Sequence, residues 1–156
     1  HQKILKLEQL VKLQKMKQES LTLSELAKDY YMQGYNCAES IFHAVKDKVI
    51  LELPEEILKM TTGFRAGIVG MGCICGVLAS CVMLLSLKYG RKNKEESVKL
   101  LNEKIKNFYK IFIDKYKSAC CRVITRKFRE NFDSIERKQF CAEIVSTMIG
   151  ELAKIL

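Results

Sequence analysis

The sequence predicts an all-α fold: a bundle of five to seven helices around a buried apolar central helix, at about residues 74–89, preceded by a glycine-rich loop. Three observations predict it. The 156-residue chain holds one proline and eight glycines, five of them between Gly63 and Gly76, so helix breakers are scarce everywhere else. Apolar residues outside that run recur at spacings of three and four, the period of one helix face. From Ala66 to Leu87 the chain carries no charge over 22 residues. A helix that is apolar on every side must be buried, in a core or in a membrane.

Composition narrows the class. Apolar residues make up 48% and charged residues 29%, the balance of a globular protein rather than a disordered one. The length fits a single helical domain over 1–156, with residues 1–20 as a peripheral N-terminal helix and 24–150 as the core. The net charge is +9. Its lysines are spread along the chain, as expected of solubilised helix faces. Arg122, Arg126, Lys127 and Arg129 form the densest patch, but no zinc-finger spacing, ribonucleoprotein motif or helix-turn-helix accompanies them, so a nucleic-acid partner is not expected. The uncharged stretch is nominally long enough to span a bilayer. Gly67, Gly70, Gly72 and Gly76 interrupt its first half, and the remaining continuous helix has the length of a core helix, so no membrane span is expected.

In chain order, residues 3–18 read as a helix with a broad apolar stripe of Ile4, Leu7, Leu10, Val11 and Leu13. That stripe is open to a partner chain, and a homo-oligomer is compatible with it. A second helix is expected from Ser24 to Gln33, with Thr22 or Ser24 as N-cap and Gly34 as its stop. Asn36 and Glu39 form a variant capping box, which makes Cys37 the first residue of a helix running to about Leu51. Pro54 at a first helical position, followed by Glu55 and Glu56, opens a short helix to Thr61 or Thr62. After Gly90–Asn93, residues 94–117 place Val98, Leu101, Ile105, Phe108, Phe112 and Tyr116 on one face. Asp133 and Glu136 read as a capping pair for the last helix, whose buried face carries Cys141, Ile144, Val145, Met148, Leu152 and Ile155.

Seven cysteines are a high and odd number, so they cannot all pair internally. Their spacing is not that of a disulfide-stapled secreted domain, and a reducing cytoplasm fits better. Cys37 stands at a helix start, where free N–H groups and the helix dipole favour a thiolate. Cys73 and Cys75 fall where the glycine-rich approach meets the central helix. Cys81 lies farther along that helix, as packing. Of the vicinal Cys120 and Cys121, one is expected to function. On periodicity alone Cys141 is a core residue. No C-x-x-C or C-x-x-C-H is present, which argues against thioredoxin-type chemistry and attached haem. His1 and His43 give no Cys–His dyad.

Four segments together resemble the family of redox-active proteins named for its C…GCAxxG…C…C pattern. They are Tyr35-Asn36-Cys37-Ala38, Gly72 through Ser80 around Cys75-Gly76, Cys121-Arg122, and Cys141 with Ile144 and Val145. The resemblance covers about residues 24–150. It implies that Cys37, Cys75, Cys121 and Cys141 are the functional cysteines, with Cys121 chosen over Cys120 because Arg122 follows it. Cys73 and Cys120 are further candidate thiols, and Asn36, Gly72, Gly76 and Arg122 are the residues expected to shape the site. Two positions depart from the pattern: Val77 replaces its alanine and Ser80 its second glycine.

Four thiols from distant segments allow a 2Fe-2S iron–sulfur cluster for electron transfer, reversible dithiol–disulfide chemistry, or a structural zinc ion. A helical interaction module with inert buried cysteines is the non-chemical alternative. The redox readings are preferred, the cluster slightly ahead, because two of the four cysteines sit at helix starts and glycines surround one of them. No general base, phosphate loop or substrate pocket is legible, and no redox partner can be named.

Overall fold

The computed structural model describes residues 2–156, and it is all-α. Its helices are α1 (Gln2–Ser20), α2 (Leu23–Gln33), α3 (Cys37–Lys48), α4 (Glu55–Lys59), α5 (Gly76–Tyr89), α6 (Lys99–Tyr116), α7 (Cys121–Ile124) and α8 (Ile135–Ala153). Short 3-10 turns lie at Thr62–Phe64 and Arg126–Asn131. Among the described residues, β pairing is confined to one antiparallel bridge, between Ile74 and Cys120. His1 lies outside the described residues.

Local chemistry sets the helix ends. Thr22 Oγ1 accepts from the Glu25 N–H, and the Glu25 carboxylate accepts from the Thr22 N–H at 2.7 Å, so Thr22 rather than Ser24 starts α2. Gly34, at φ 117°, ends it. Asn36 repeats the capping box for α3: its side chain accepts from the N–H groups of Ala38 and Glu39, both at 2.9 Å, and Glu39 accepts from the Asn36 N–H at 2.8 Å. Cys37 is therefore the first residue of α3.

Several boundaries differ from the sequence reading. α3 stops at Lys48, short of Leu51, because the N–H groups of Val49 and Ile50 converge on the same Val45 carbonyl. Pro54 is the N-cap of α4 rather than its first residue. α5 begins at Gly76 and not at 74, since Cys75 donates its N–H to Ala119 O at 2.8 Å and is held extended there. α6 begins only at Lys99. Ser134, not Asp133, caps α8, its Oγ accepting from the Arg137 N–H at 3.2 Å.

The core forms where α5 packs against α3, α6 and α8, while α2 packs on α3 and α8. α5 buries Gly76 through Cys81 together with Leu84 and Leu85, as a helix without a polar face must. α6 contributes the fully buried Phe108 and Phe112, and α8 contributes Ile144, Val145, Met148, Ile149 and Leu152. α1 buries nothing, and Ile4, Leu7, Leu10 and Leu13 are more than half exposed. Among the described residues no helix is long and apolar enough to cross a membrane.

Candidate redox site

Cys37, Cys75, Cys121 and Cys141 come from four different elements and line one cavity of 320 Å³. Each position has a local cause. Cys37 is placed by the Asn36 capping box. Its Cβ faces Gly76 across the α3–α5 contact, where a β-carbon on residue 76 would stand 3.4 Å from Cys37 Cβ and 3.2 Å from Phe64 O. Gly76 thus lets α3 and α5 approach closely enough for Cys37 and Cys75 to share a space.

Cys75 and Cys121 are set by a short extended pairing. Cys75 donates to Ala119 O at 2.8 Å, Cys121 to Cys73 O at 2.6 Å, and Arg122 to Gly72 O at 3.1 Å. Behind this pairing the loop turns through five successive residues of positive φ: Ala66 (49°), Gly67 (71°), Ile68 (67°), Val69 (42°) and Gly70 (83°). Left-handed backbone is rare for L-residues and least favourable for β-branched ones such as Ile68 and Val69. Hydrogen bonds from Gly70 to Arg65 O, Gly72 to Ala66 O and Cys73 to Gly67 O close the turn. Steric pattern alone does not reveal such a turn, although the glycine spacing is its trace.

Three of the four cysteines stand at helix starts: Cys37 and Cys121 are first residues of α3 and α7, and Cys75 is the N-cap residue of α5. The fourth, Cys141, is inside α8, one turn after Arg137, whose Nη1 donates to its Sγ at 3.9 Å. Burial raises all four thiols above their ordinary range. For Cys37 the other three sulfurs add to burial and Arg137 opposes it. Cys75 is pushed up to about 12 by burial, against the pull of the Val77 and Leu78 N–H groups. Cys121 is raised by burial and by Cys141, with the Thr125 hydroxyl and Arg137 acting the other way. Cys141 is raised by burial and lowered by Arg137 and the Tyr31 hydroxyl. Cys37 thus feels the other three sulfurs, and Cys75 feels those of Cys121 and Cys141.

The remaining candidates fall elsewhere. Cys73 and Cys120 are exposed and do not line the cavity. Cys81 is fully buried in α5, as core packing. Arg122 supports the loop instead of facing the sulfurs: its Nη2 donates to Met71 O at 2.7 Å, and it fills the space that a β-carbon at Gly72 would enter. Asn36 also ties the rim, its Nδ2 donating to Thr62 O at 3.1 Å. The residues beside the sulfurs that sequence reading missed are Tyr31, Thr125 and Arg137. Arg137 had a usable signal, its i, i+4 spacing to Cys141. Among the described residues no three His, Cys, Asp or Glu side chains are placed to hold a single metal ion.

A family model described as "Putative redox-active protein (C_GCAxxG_C_C)" matches residues 35–155. The chain belongs to this family. The match takes in the four cysteines of the cavity and leaves α1 outside. An uncharacterized protein from Archaeoglobus fulgidus is 32% identical over 130 residues, covering 73% of this chain and 80% of that protein. No solved structure matches the chain.

Proposed function

We propose that this member of the C_GCAxxG_C_C family is an electron-transfer protein whose centre is an iron–sulfur cluster of the 2Fe-2S class, held by Cys37, Cys75, Cys121 and Cys141 in the cytoplasm. The observation that carries this reading is the convergence of four desolvated thiols from α3, α5, α7 and α8 on one cavity. Burial keeps them protonated when free, which makes them poor nucleophiles for exchange with another protein's disulfide. Iron deprotonates a coordinating thiol outright, so the same burial does not oppose ligation in the same way. The donor set is all soft sulfur, which suits iron–sulfur clusters. Helix-start N–H groups at three cysteines and Arg137 at the fourth supply the positive potential that a buried anionic centre requires. A bound cluster supplies a one-electron couple. Cys37, Cys75, Cys121 and Cys141 would be its ligands, beside a largely apolar wall from α5 and α8.

A second chemistry draws on the absence of a compact three-donor group among the described residues. In it, two of the cavity thiols yield two protons and two electrons to an electron-accepting partner and form a disulfide. One preparation separates the two. Protein purified without oxygen is assayed for iron, zinc, visible absorption and free thiols, before and after mild oxidation. Iron with thiolate-to-iron absorption bands is the expected result. Paired thiol loss without iron favours the disulfide couple. Stoichiometric zinc, or thiols inert across cellular potentials, overturns the redox reading.

A further inference from the structure

The four sulfurs share their cavity with a cation that has no counter-ion. Arg137 Nε is buried and has no hydrogen-bond partner. Among the described residues the ion pairs are Lys28–Glu143, Lys94–Glu95 and Lys154–Glu151, and Arg137 is in none of them. The side chain is nevertheless held firmly. Its backbone N–H is capped by Ser134, its guanidinium carbon lies 4.2 Å from the centre of the Phe132 ring, and Nη1 reaches Cys141 Sγ. Arg65 and Lys138 also line the cavity, without a buried polar atom left unpartnered. A guanidinium N–H buried without an acceptor is unfavourable, and such a group is best explained by an acceptor that arrives in the working protein.

We propose that Arg137 is the built-in counter-ion of the cysteine centre: a positioning residue, outside the bonds that change, whose guanidinium balances the negative charge gathered on the sulfurs and so sets the potential. This rests on the redox reading above. Its direction follows from electrostatics. Reduction of a cluster adds one negative charge to the centre, whereas a disulfide that takes up two electrons and two protons becomes two neutral thiols and adds none. A fixed cation beside Cys141 therefore favours the reduced cluster, and its removal lowers the potential.

The test uses the full chain, prepared without oxygen, as wild type, Arg137→Gln, Arg137→Lys and Lys138→Gln. Each is titrated against redox buffers and read by visible absorption or by thiol alkylation. At a fixed potential, Arg137→Gln is expected to raise the ratio of oxidised to reduced protein at least tenfold, which is 59 mV for the one-electron couple of a cluster. Arg137→Lys is expected to recover most of that shift, and Lys138→Gln to move the ratio less than threefold. A companion measurement compares thermal unfolding of metal-free, thiol-reduced wild type with Arg137→Met. Relief of an uncompensated charge predicts an equal or higher midpoint in the variant, whereas a merely structural arginine predicts a lower one. A ratio that Arg137→Gln leaves within threefold, or a shift that Arg137→Lys does not reverse, overturns the proposal. If wild type shows no couple at all, the redox reading falls on its own. The unfolding comparison then decides the counter-ion: an equal or higher midpoint in Arg137→Met retains it and a lower one removes it.

Discussion

Gly67 lies against Cys121 with no room for a side chain: a β-carbon on residue 67 would stand 2.8 Å from Cys121 Cβ and 2.6 Å from the Cys73 backbone nitrogen. The glycine also holds φ at 71°, in the middle of the left-handed turn. Gly67→Ala therefore meets both strain and collision. The conformational part alone costs about 1–2 kcal/mol, and the collision adds to it because backbone cannot yield as a side-chain tip can. Denaturant unfolding should show a loss of roughly 2 kcal/mol or more. The same variant should lose the redox couple, since Cys73–Cys75 can no longer pair with Ala119–Cys121. Gly70→Ala is the control. It has the same class of backbone angle and nothing within 4 Å of the added carbon, so it should cost only the conformational part.

The fold was legible in the sequence wherever burial is periodic. Phe108 and Phe112 in α6, and Ile144, Val145, Met148 and Leu152 in α8, are buried as their spacing requires. Caps built from two reciprocal side chains were equally legible, which is why Asn36 placed Cys37 correctly. The left-handed turn was not, because Ile68 and Val69 are residues that local sterics steer away from positive φ; only the closing hydrogen bonds of the loop impose it. The site was half legible. Its cysteines follow a pattern of residue types, but Tyr31 and Arg137 reach it through the packing of α2 on α8. Arg122, the residue by which Cys121 was chosen over Cys120, braces the loop through Met71.

Cys75 and Cys81 should respond to substitution in opposite ways. Cys75 occupies the N-cap of α5, which has no side-chain capping bond. Cys75→Ser puts a hydroxyl, a stronger acceptor than a thiol, before the Val77 and Leu78 N–H groups that face Cys75, so metal-free stability should hold or rise by about 0.5–1 kcal/mol. Iron content or paired thiol oxidation should nevertheless disappear, because a hydroxyl is a poor ligand for iron and forms no disulfide. Cys81 is fully buried and outside the cavity. Cys81→Ala should cost about 1 kcal/mol of stability and leave iron content or thiol pairing as in wild type. Unfolding curves and iron-to-protein ratios on both variants check the contrast.

His43 gives the pH dependence. It lies between two rings, 5.1 Å from Tyr30 and 4.5 Å from Tyr35, and burial lowers its pKa below 6.5, against the pull of Asp47 and Glu39 and with the help of Lys46. A histidine held neutral by the fold binds fewer protons folded than unfolded. Its contribution is therefore complete above pH 6.5 and is lost as pH falls through the lower folded-state value. Thermal midpoints measured between pH 7.5 and 5 should decline for wild type, and His43→Phe should flatten that decline. A wild-type slope that persists unchanged in His43→Phe would assign the acid sensitivity to another group.

Removal of residues 2–16 should leave the folded core as it is. α1 buries no residue, and its links to the rest are at its end, where Gln18 donates to the Tyr30 hydroxyl at 3.3 Å and Lys48 donates to Glu19 O at 2.9 Å. Burial of apolar surface is the main source of helix stability in a fold, and α1 draws none from its own chain. Its midpoint of unfolding, and the iron or thiol couple, should match those of the full chain at micromolar protein. Ile4, Leu7, Leu10 and Leu13 leave a specific way for this to fail. If α1 packs against a second copy, the full chain will gain stability with protein concentration while the shortened chain will not. Unfolding at two concentrations, with sedimentation on the same samples, distinguishes a helix that stands apart from one that holds a dimer.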